Sequence, residues 1–159
     1  MFRWVLFVLF FGICASAGEQ KKKPVSLARG WGSSISWVQS YEDGLAEMVK
    51  SQKPLMIIHH KEDCKHCQAL KKAFVSVKSI LKMAKEDFIM LNLVEETSDP
   101  NLAPDNYYVP RILFVDPSMT VRTDITGKYN NHLYTYEPSD MALLVENMKK
   151  AKLLLHDEL

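Results

Sequence analysis

Two cysteines separated by two residues form the most chemically reactive pair in this sequence. Cys64 and Cys67 enclose Lys65 and His66, and Asp63 precedes them. Cysteines at this spacing can form a disulfide with each other, supply two of the four ligands of a zinc ion, or exchange electrons with other thiols. The residues on either side favour the third chemistry.

The pair lies between a predicted strand and a predicted helix. The run 55–60 is apolar and is expected to form a buried strand. A helix is predicted from residue 64 to about 85, because apolar residues recur there every three or four positions. Since the free N–H groups and the dipole at a helix N-terminus favour a thiolate, we expect Cys64 to be the exposed nucleophile. Cys67, one turn further inside, is expected to be the resolving thiol.

The neighbours of Cys64 tune its thiolate. Lys65 and protonated His66 stabilise a negative sulfur, whereas Asp63 opposes it and could cap the helix. Because two cations outweigh one exposed carboxylate, we predict a pKa of Cys64 below the free-thiol value of about 8.5. The same stabilisation of the reduced form makes the Cys64–Cys67 disulfide more oxidising.

A zinc site and a purely structural disulfide are the two alternatives. Cys64 and Cys67 could recruit His59, His60 or His66 as further zinc ligands, but the chain has no second Cys-x-x-Cys pair. We therefore expect no metal and no cofactor. His59 and His60 are expected either to lie at the strand end without a special role or to transfer protons near Cys67.

The remaining elements predict an α/β fold with a central mixed sheet flanked by helices. Ser40 is expected to cap a helix over 41–52. Periodicity predicts further strands at 88–94, 111–117 and 120–126, and a final helix at 139–155. The first strand–helix–strand unit should be parallel, and the last two strands should form an antiparallel hairpin.

Both ends of the chain carry address signals. Residues 1–17 combine one arginine, a short apolar run and small residues, which is typical of a cleaved secretory signal peptide, and the run is too short for a comfortable membrane span. Residues 18–29 are polar and basic and are expected to form a flexible arm, so the domain is assigned to 30–155. The last four residues, 156–159, match the retention signal of the endoplasmic reticulum. They are His156, Asp157, Glu158 and Leu159.

These signals and the composition limit the possible functions. We expect the protein in the lumen of the endoplasmic reticulum, with some secretion, and without a membrane span. The chain has 20 Lys and Arg against 19 Asp and Glu, and loss of Arg3 with the signal peptide leaves the mature chain formally neutral, so a nucleic-acid partner is not expected. Cys14 is lost as well, so only one intrachain disulfide is possible.

Several segments are similar to the anterior gradient family, single-domain relatives of the protein disulfide isomerases. They are "RGWG", "KPLMIIHH", "QALKK", "LNLV", "YVPRILFVDPS", "DITGKY" and "YEP". The Cys-x-x-Cys after a strand and the segment "VPRILFVD" resemble a thioredoxin-like fold, in which a cis-proline faces the redox pair. This resemblance implies that Pro110 is cis and that the backbone of Val109 binds an extended substrate peptide beside Cys64.

The chain departs from the resemblance at two points. Many family members carry Cys-x-x-Ser, which traps a mixed disulfide without resolving it, whereas this chain has the complete pair. Many thioredoxin-like enzymes also have a buried acid where this chain has Ile58, and a tryptophan where it has Asp63. Proton relay is therefore expected to be slow or to pass through His59 or His60.

The resemblance implies a thiol–disulfide oxidoreductase or isomerase that assists the folding of secretory proteins. The expected partners are cysteine-containing client proteins and the retention receptor. One alternative is a secreted signalling ligand that binds a cell-surface receptor in development or regeneration, with dispensable cysteines. Another is a chaperone-like protein that holds unfolded chains on apolar surface around Pro110.

Overall fold

The computed structural model describes residues 26–153. The predicted signal peptide, residues 18–25 of the predicted arm and the predicted retention signal lie outside the described residues. The helices within 26–153 are α1 (Tyr41–Ser51), α2 (Lys65–Ser76), α3 (Lys78–Glu86) and α4 (Met141–Lys152). The strands of the same region are β1 (Trp37–Val38), β2 (Leu55–His59), β3 (Ile89–Leu93), β4 (Arg111–Asp116) and β5 (Thr120–Val121). Short 3₁₀ turns occur at Pro100–Leu102 and Pro138–Asp140.

The strands form one mixed sheet in the order β1-β3-β2-β4-β5. β1 and β2 both run parallel to β3, whereas β4 runs antiparallel to β2 and to β5. The predicted parallel unit, the antiparallel hairpin and the central mixed sheet with flanking helices are therefore confirmed. β2 and β4 lie in the middle of the sheet and are buried along their whole length.

Each face of the sheet has its own apolar cluster, because successive side chains of a strand point to opposite faces. Met56 and Ile58 of β2 pack in the cluster that also contains the buried residues of α2, α3 and α4. Leu55 and Ile57 pack in the opposite cluster, together with Met48 of α1. The sheet therefore separates α1 from the helix that begins at the cysteine pair.

The prediction of one continuous helix over 64–85 is wrong, because the helix is interrupted at Val77. Val77 has an extended backbone, with φ −99° and ψ 106°. The hydroxyl of Ser76 donates to the carbonyl of Ala73 at 2.6 Å, which supplies a local alternative to helical bonding. Val77 is also β-branched and has a low helix propensity. The periodicity concealed the break, because α2 and α3 both bury residues in the same cluster.

The strand predicted over 120–126 is wrong beyond Val121. Arg122 is 5% exposed, and its guanidinium bonds the carboxylate of Asp124 at 2.9 Å and 3.0 Å. The amide of Ile125 donates to the carbonyl of Arg122, which closes a turn. The alternation of polar and apolar residues here reflects the Arg122–Asp124 ion pair and the turn, and not a strand.

The chain entering the sheet is packed against it from Ala28 onward. Ala28, inside the predicted arm, is 6% exposed, and Trp31 is fully buried. The side-chain amide of Asn92 on β3 donates to the carbonyls of Leu27 and Ala28, at 2.9 Å and 3.0 Å. Residues 26–32, the docked segment, lie against the same sheet edge as β1. The two-residue strand β1 was not predicted from the sequence.

Candidate redox site

The two cysteines form a disulfide at the start of α2. Their Cα atoms are 5.2 Å apart. Cys64 is the N-cap residue, and its Sγ accepts a hydrogen bond from the backbone N–H of Cys67 at 3.1 Å. Cys64 is partly exposed, whereas Cys67 is 2% exposed. Cys64 is therefore the more exposed residue of the pair, and its sulfur is directed at a free N–H group of the helix, while Cys67 is covered.

The charged neighbours of Cys64 lie in solvent. Asp63, Lys65 and His66 are all exposed. The expectation that Asp63 caps the helix is wrong, because the Cys64 sulfur occupies that position. The loop before the pair is held instead through Glu62, whose carbonyl accepts from the side-chain amide of Gln68 at 2.7 Å. Because the three charges are exposed, solvent screens their action on the sulfur.

Pro110 lies at the same end of the sheet as the cysteine pair. Its peptide bond with Val109 is cis, as expected. Arg111, the next residue, pairs in register with His59, so Pro110 lies level with the chain that leaves β2 toward Cys64. The carbonyl of Pro110 accepts from the Thr135 hydroxyl at 2.9 Å. Within residues 26–153, the N–H and C=O of Val109 have no hydrogen-bond partner.

The two histidines lie at the end of β2, as expected, but both are buried rather than at the surface. His59 is 0% exposed, and its Nδ1 accepts a hydrogen bond from Arg111 Nε at 2.8 Å. Burial, reinforced by the positive charge of Arg111, lowers the pKa of His59 to about 3. The histidine is therefore neutral at physiological pH, and its Nδ1 lone pair is committed to Arg111.

His60 lies on the opposite face from His59. Its ring lies 5.2 Å from that of Trp31, which contacts Phe74 of α2. Its Nε2 pairs with Asn92 Oδ1 at 3.2 Å, and burial lowers the pKa of His60 to about 4. Among the described residues, neither histidine is hydrogen-bonded to a cysteine. Their predicted role in proton transfer stays a prediction, and only His60 shares a sheet face with α2.

A role for Arg111 in this region was not predicted from the sequence. The whole side chain is buried, with 0% exposure. Its Nη1 donates to the Asn106 carbonyl at 2.9 Å, and its guanidinium carbon lies 5.0 Å from the ring centre of Tyr107. The available signal was a charged residue directly before the apolar run "ILFV" and directly after a proline.

The Thioredoxin-like family model matches residues 36–117. Mouse anterior gradient protein 3 is 62% identical over 141 residues, which cover 89% of this chain and 86% of that protein. This chain belongs to the anterior gradient family. Human anterior gradient protein 2 homolog is 59% identical over 141 residues, with 89% and 80% of the two chains covered. Anterior gradient protein 1 of Xenopus laevis is 56% identical over 134 residues, with 84% and 73% covered.

A solved structure of a DsbH oxidoreductase shares the fold of this anterior gradient chain. It superimposes with a TM-score of 0.51 and 13% sequence identity, covering 83% of this chain and 92% of that chain. The predicted family and the predicted thioredoxin-like fold are therefore both confirmed.

The position beneath the pair where many thioredoxin-like enzymes have a buried acid holds an apolar side chain in this family member. Ile58 is 0% exposed and packs in the cluster beneath α2. Within residues 26–153, no three His, Cys, Asp or Glu side chains are grouped so that they could hold a metal ion. None of the helices in the described region is long and apolar enough to cross a membrane.

Proposed function

We propose that the Cys64–Cys67 pair exchanges disulfides with the cysteines of client proteins that fold in the secretory pathway. The observation that carries this proposal is the position of Cys64. Cys64 is partly exposed as a residue, and its sulfur accepts the N–H of Cys67 at the first turn of α2. A thiolate at this position is stabilised by the same hydrogen bond and by the helix dipole.

The exchange needs no reactant beyond the client and the pair. A client thiolate attacks the Cys64 sulfur, the Cys64–Cys67 bond breaks, and Cys67 leaves as a thiolate that takes up a proton. A second client thiolate then attacks the client sulfur of the mixed disulfide and releases Cys64. Two electrons have passed from the client to the pair. Reduction of a client disulfide follows the reverse sequence, with Cys67 releasing the client.

The backbone of Val109 supports peptide binding beside the pair. Its N–H and C=O are unpaired within the described region, and its side chain is partly exposed. An extended client segment could pair with these groups as a strand pairs with a sheet edge. We therefore assign Val109 and Pro110 to client binding, and Cys64 and Cys67 to the chemistry.

Replacement of the resolving cysteine tests the exchange. Cys67→Ser leaves the nucleophile in place but removes the group that releases the client, so mixed disulfides should accumulate in the secretory pathway. They would be detected as high-mass species on non-reducing gels that disappear on reduction. The double variant Cys64→Ser/Cys67→Ser is the matched control and should trap nothing.

Failure to trap clients under conditions in which a known isomerase traps them would contradict the proposal. If the double variant also kept full biological activity, the result would support the alternative of a receptor ligand with dispensable cysteines.

The place of action is part of the same proposal. The signal peptide of residues 1–17 directs the chain into the secretory pathway, and residues 156–159 retain it in the endoplasmic reticulum through the retention receptor. That lumen is oxidising, which suits a pair that cycles between disulfide and dithiol.

A further inference from the structure

Arg111 has a buried guanidinium without an acidic partner. Among the described residues it forms no ion pair, and its Nη2 has no hydrogen-bond partner. Asp105 acts on it electrostatically, but the Oδ2 of that carboxylate accepts instead from the Tyr108 hydroxyl and the Leu133 amide, both at 2.8 Å. Burial of a charge without a counter-ion is unfavourable by several kcal/mol. The stability of the sheet alone therefore does not explain an arginine here.

The contacts of Arg111 all lead to two chain segments at the redox end of the sheet. Nε donates to His59 at the end of β2, from which the chain continues to Cys64. Nη1 donates to the carbonyl of Asn106, and the guanidinium lies against the rings of Tyr107 and Tyr108 at 5.0 Å and 5.7 Å. One side chain thus connects the strand before the cysteine loop with the loop before the cis-proline.

Tyr107 extends this connection to the cysteine loop. The ammonium of Lys61 lies 5.7 Å from the Tyr107 ring centre, and the Arg111 guanidinium lies 5.0 Å from the same ring. The ring also meets that of His59 edge-on, at 6.1 Å. Two cations on one aromatic ring favour a fixed position for that ring. Tyr107 is only two residues before Val109, whose backbone is unpaired.

We propose that Arg111 is a positioning residue for client peptides. It fixes the loop 105–109, so that the N–H and C=O of Val109 keep the orientation that an extended peptide needs beside Cys64. It acts on peptide binding and not on the reactivity of the sulfur, because its contacts reach the loop and the end of β2 but neither cysteine. This inference rests on the proposed exchange function.

The test compares a peptide substrate with a reagent that needs no peptide binding. Arg111→Met should raise KM about tenfold for a fluorescence-quenched peptide disulfide, because a loop that samples other conformations binds the peptide less tightly. kcat should stay within about twofold of wild type. The rate at which iodoacetamide alkylates reduced Cys64, followed against pH, should not change. Arg111→Lys keeps the positive charge but loses the planar set of guanidinium N–H donors, and should give an intermediate KM.

Two further variants separate positioning from a general loss of structure. Arg122→Met removes another buried arginine, near the far end of β4, and should leave KM unchanged. His59→Phe/Arg111→Met removes both polar partners together, which limits the loss of stability, and should show the same rise in KM.

The outcomes distinguish this inference from the proposed function. An unchanged KM in Arg111→Met, or an altered alkylation profile, would overturn the positioning role while wild-type exchange persists. A wild-type protein without any exchange activity would instead overturn the proposed function.

Discussion

At the scale of single residues, the cysteine pair was predictable from the sequence and the histidines were not. Spacing and flanking elements placed Cys64 at a helix start and Cys67 one turn inside, because both depend on local geometry. The burial of His59 and His60 depends on segments distant in sequence. His59 contacts Arg111 of β4 and Tyr107, and His60 contacts Trp31 and Asn92. These partners are distant in sequence, so no local pattern predicts the contacts.

The same histidines predict a pH dependence of stability. Their folded-state pKa values, about 3 and about 4, lie below the ordinary value of 6.5, so the unfolded chain binds more protons as the pH falls. The free energy of unfolding should therefore decrease from about pH 6.5 toward pH 4, by up to about 1.4 kcal/mol per pH unit for each histidine. Urea denaturation at a series of pH values measures this slope.

A variant of one histidine shows how much of the pH dependence of the unfolding free energy that histidine causes. His60→Gln should remove about half of it, because His60 is one of the two buried histidines. A denaturation midpoint that is independent of pH between 4 and 6.5 would show that neither histidine is held neutral.

At the scale of elements, apolar runs predicted the longer strands well, whereas the ends of the helices and strands were predicted poorly. β2, β3 and β4 were all predicted, because each contains a run of buried apolar residues. The break at Val77 was missed, because a short interruption leaves the apolar stripe intact. β1 was missed because it has only two residues and is defined by its pairing with β3.

The docked segment 26–32 contributes to stability through one ring. Trp31 is fully buried and contacts Phe74 of α2 and His60, so Trp31→Ala should lower the free energy of unfolding by about 3–5 kcal/mol. Trp37 is the control within the same stretch. It is only partly buried, and Trp37→Ala should have a smaller effect in the same urea titration. Equal losses would mean that Trp31 is not a core residue.

At the scale of the whole molecule, the fold and family could be predicted, whereas the address signals can be tested only in cells. Deletion of residues 156–159 removes the sequence that the retention receptor would bind, so the secreted fraction should rise strongly. Immunoblots of medium and cell lysate measure that fraction. A variant in which the four residues are reordered is the matched control and should be secreted like the deletion. Equal retention of all three proteins would contradict retention by this signal.

The ion pair between Arg29 and Glu62, with 2.8 Å between nitrogen and oxygen, has a practical consequence. It places Arg29, near the beginning of the described domain, beside a residue that is two positions before Cys64. An affinity tag joined to the chain before residue 26 would thus connect to the domain close to the proposed exchange site. Kinetic assays with such a fusion risk measuring steric obstruction by the tag, and cleavage of the tag before the assay avoids it.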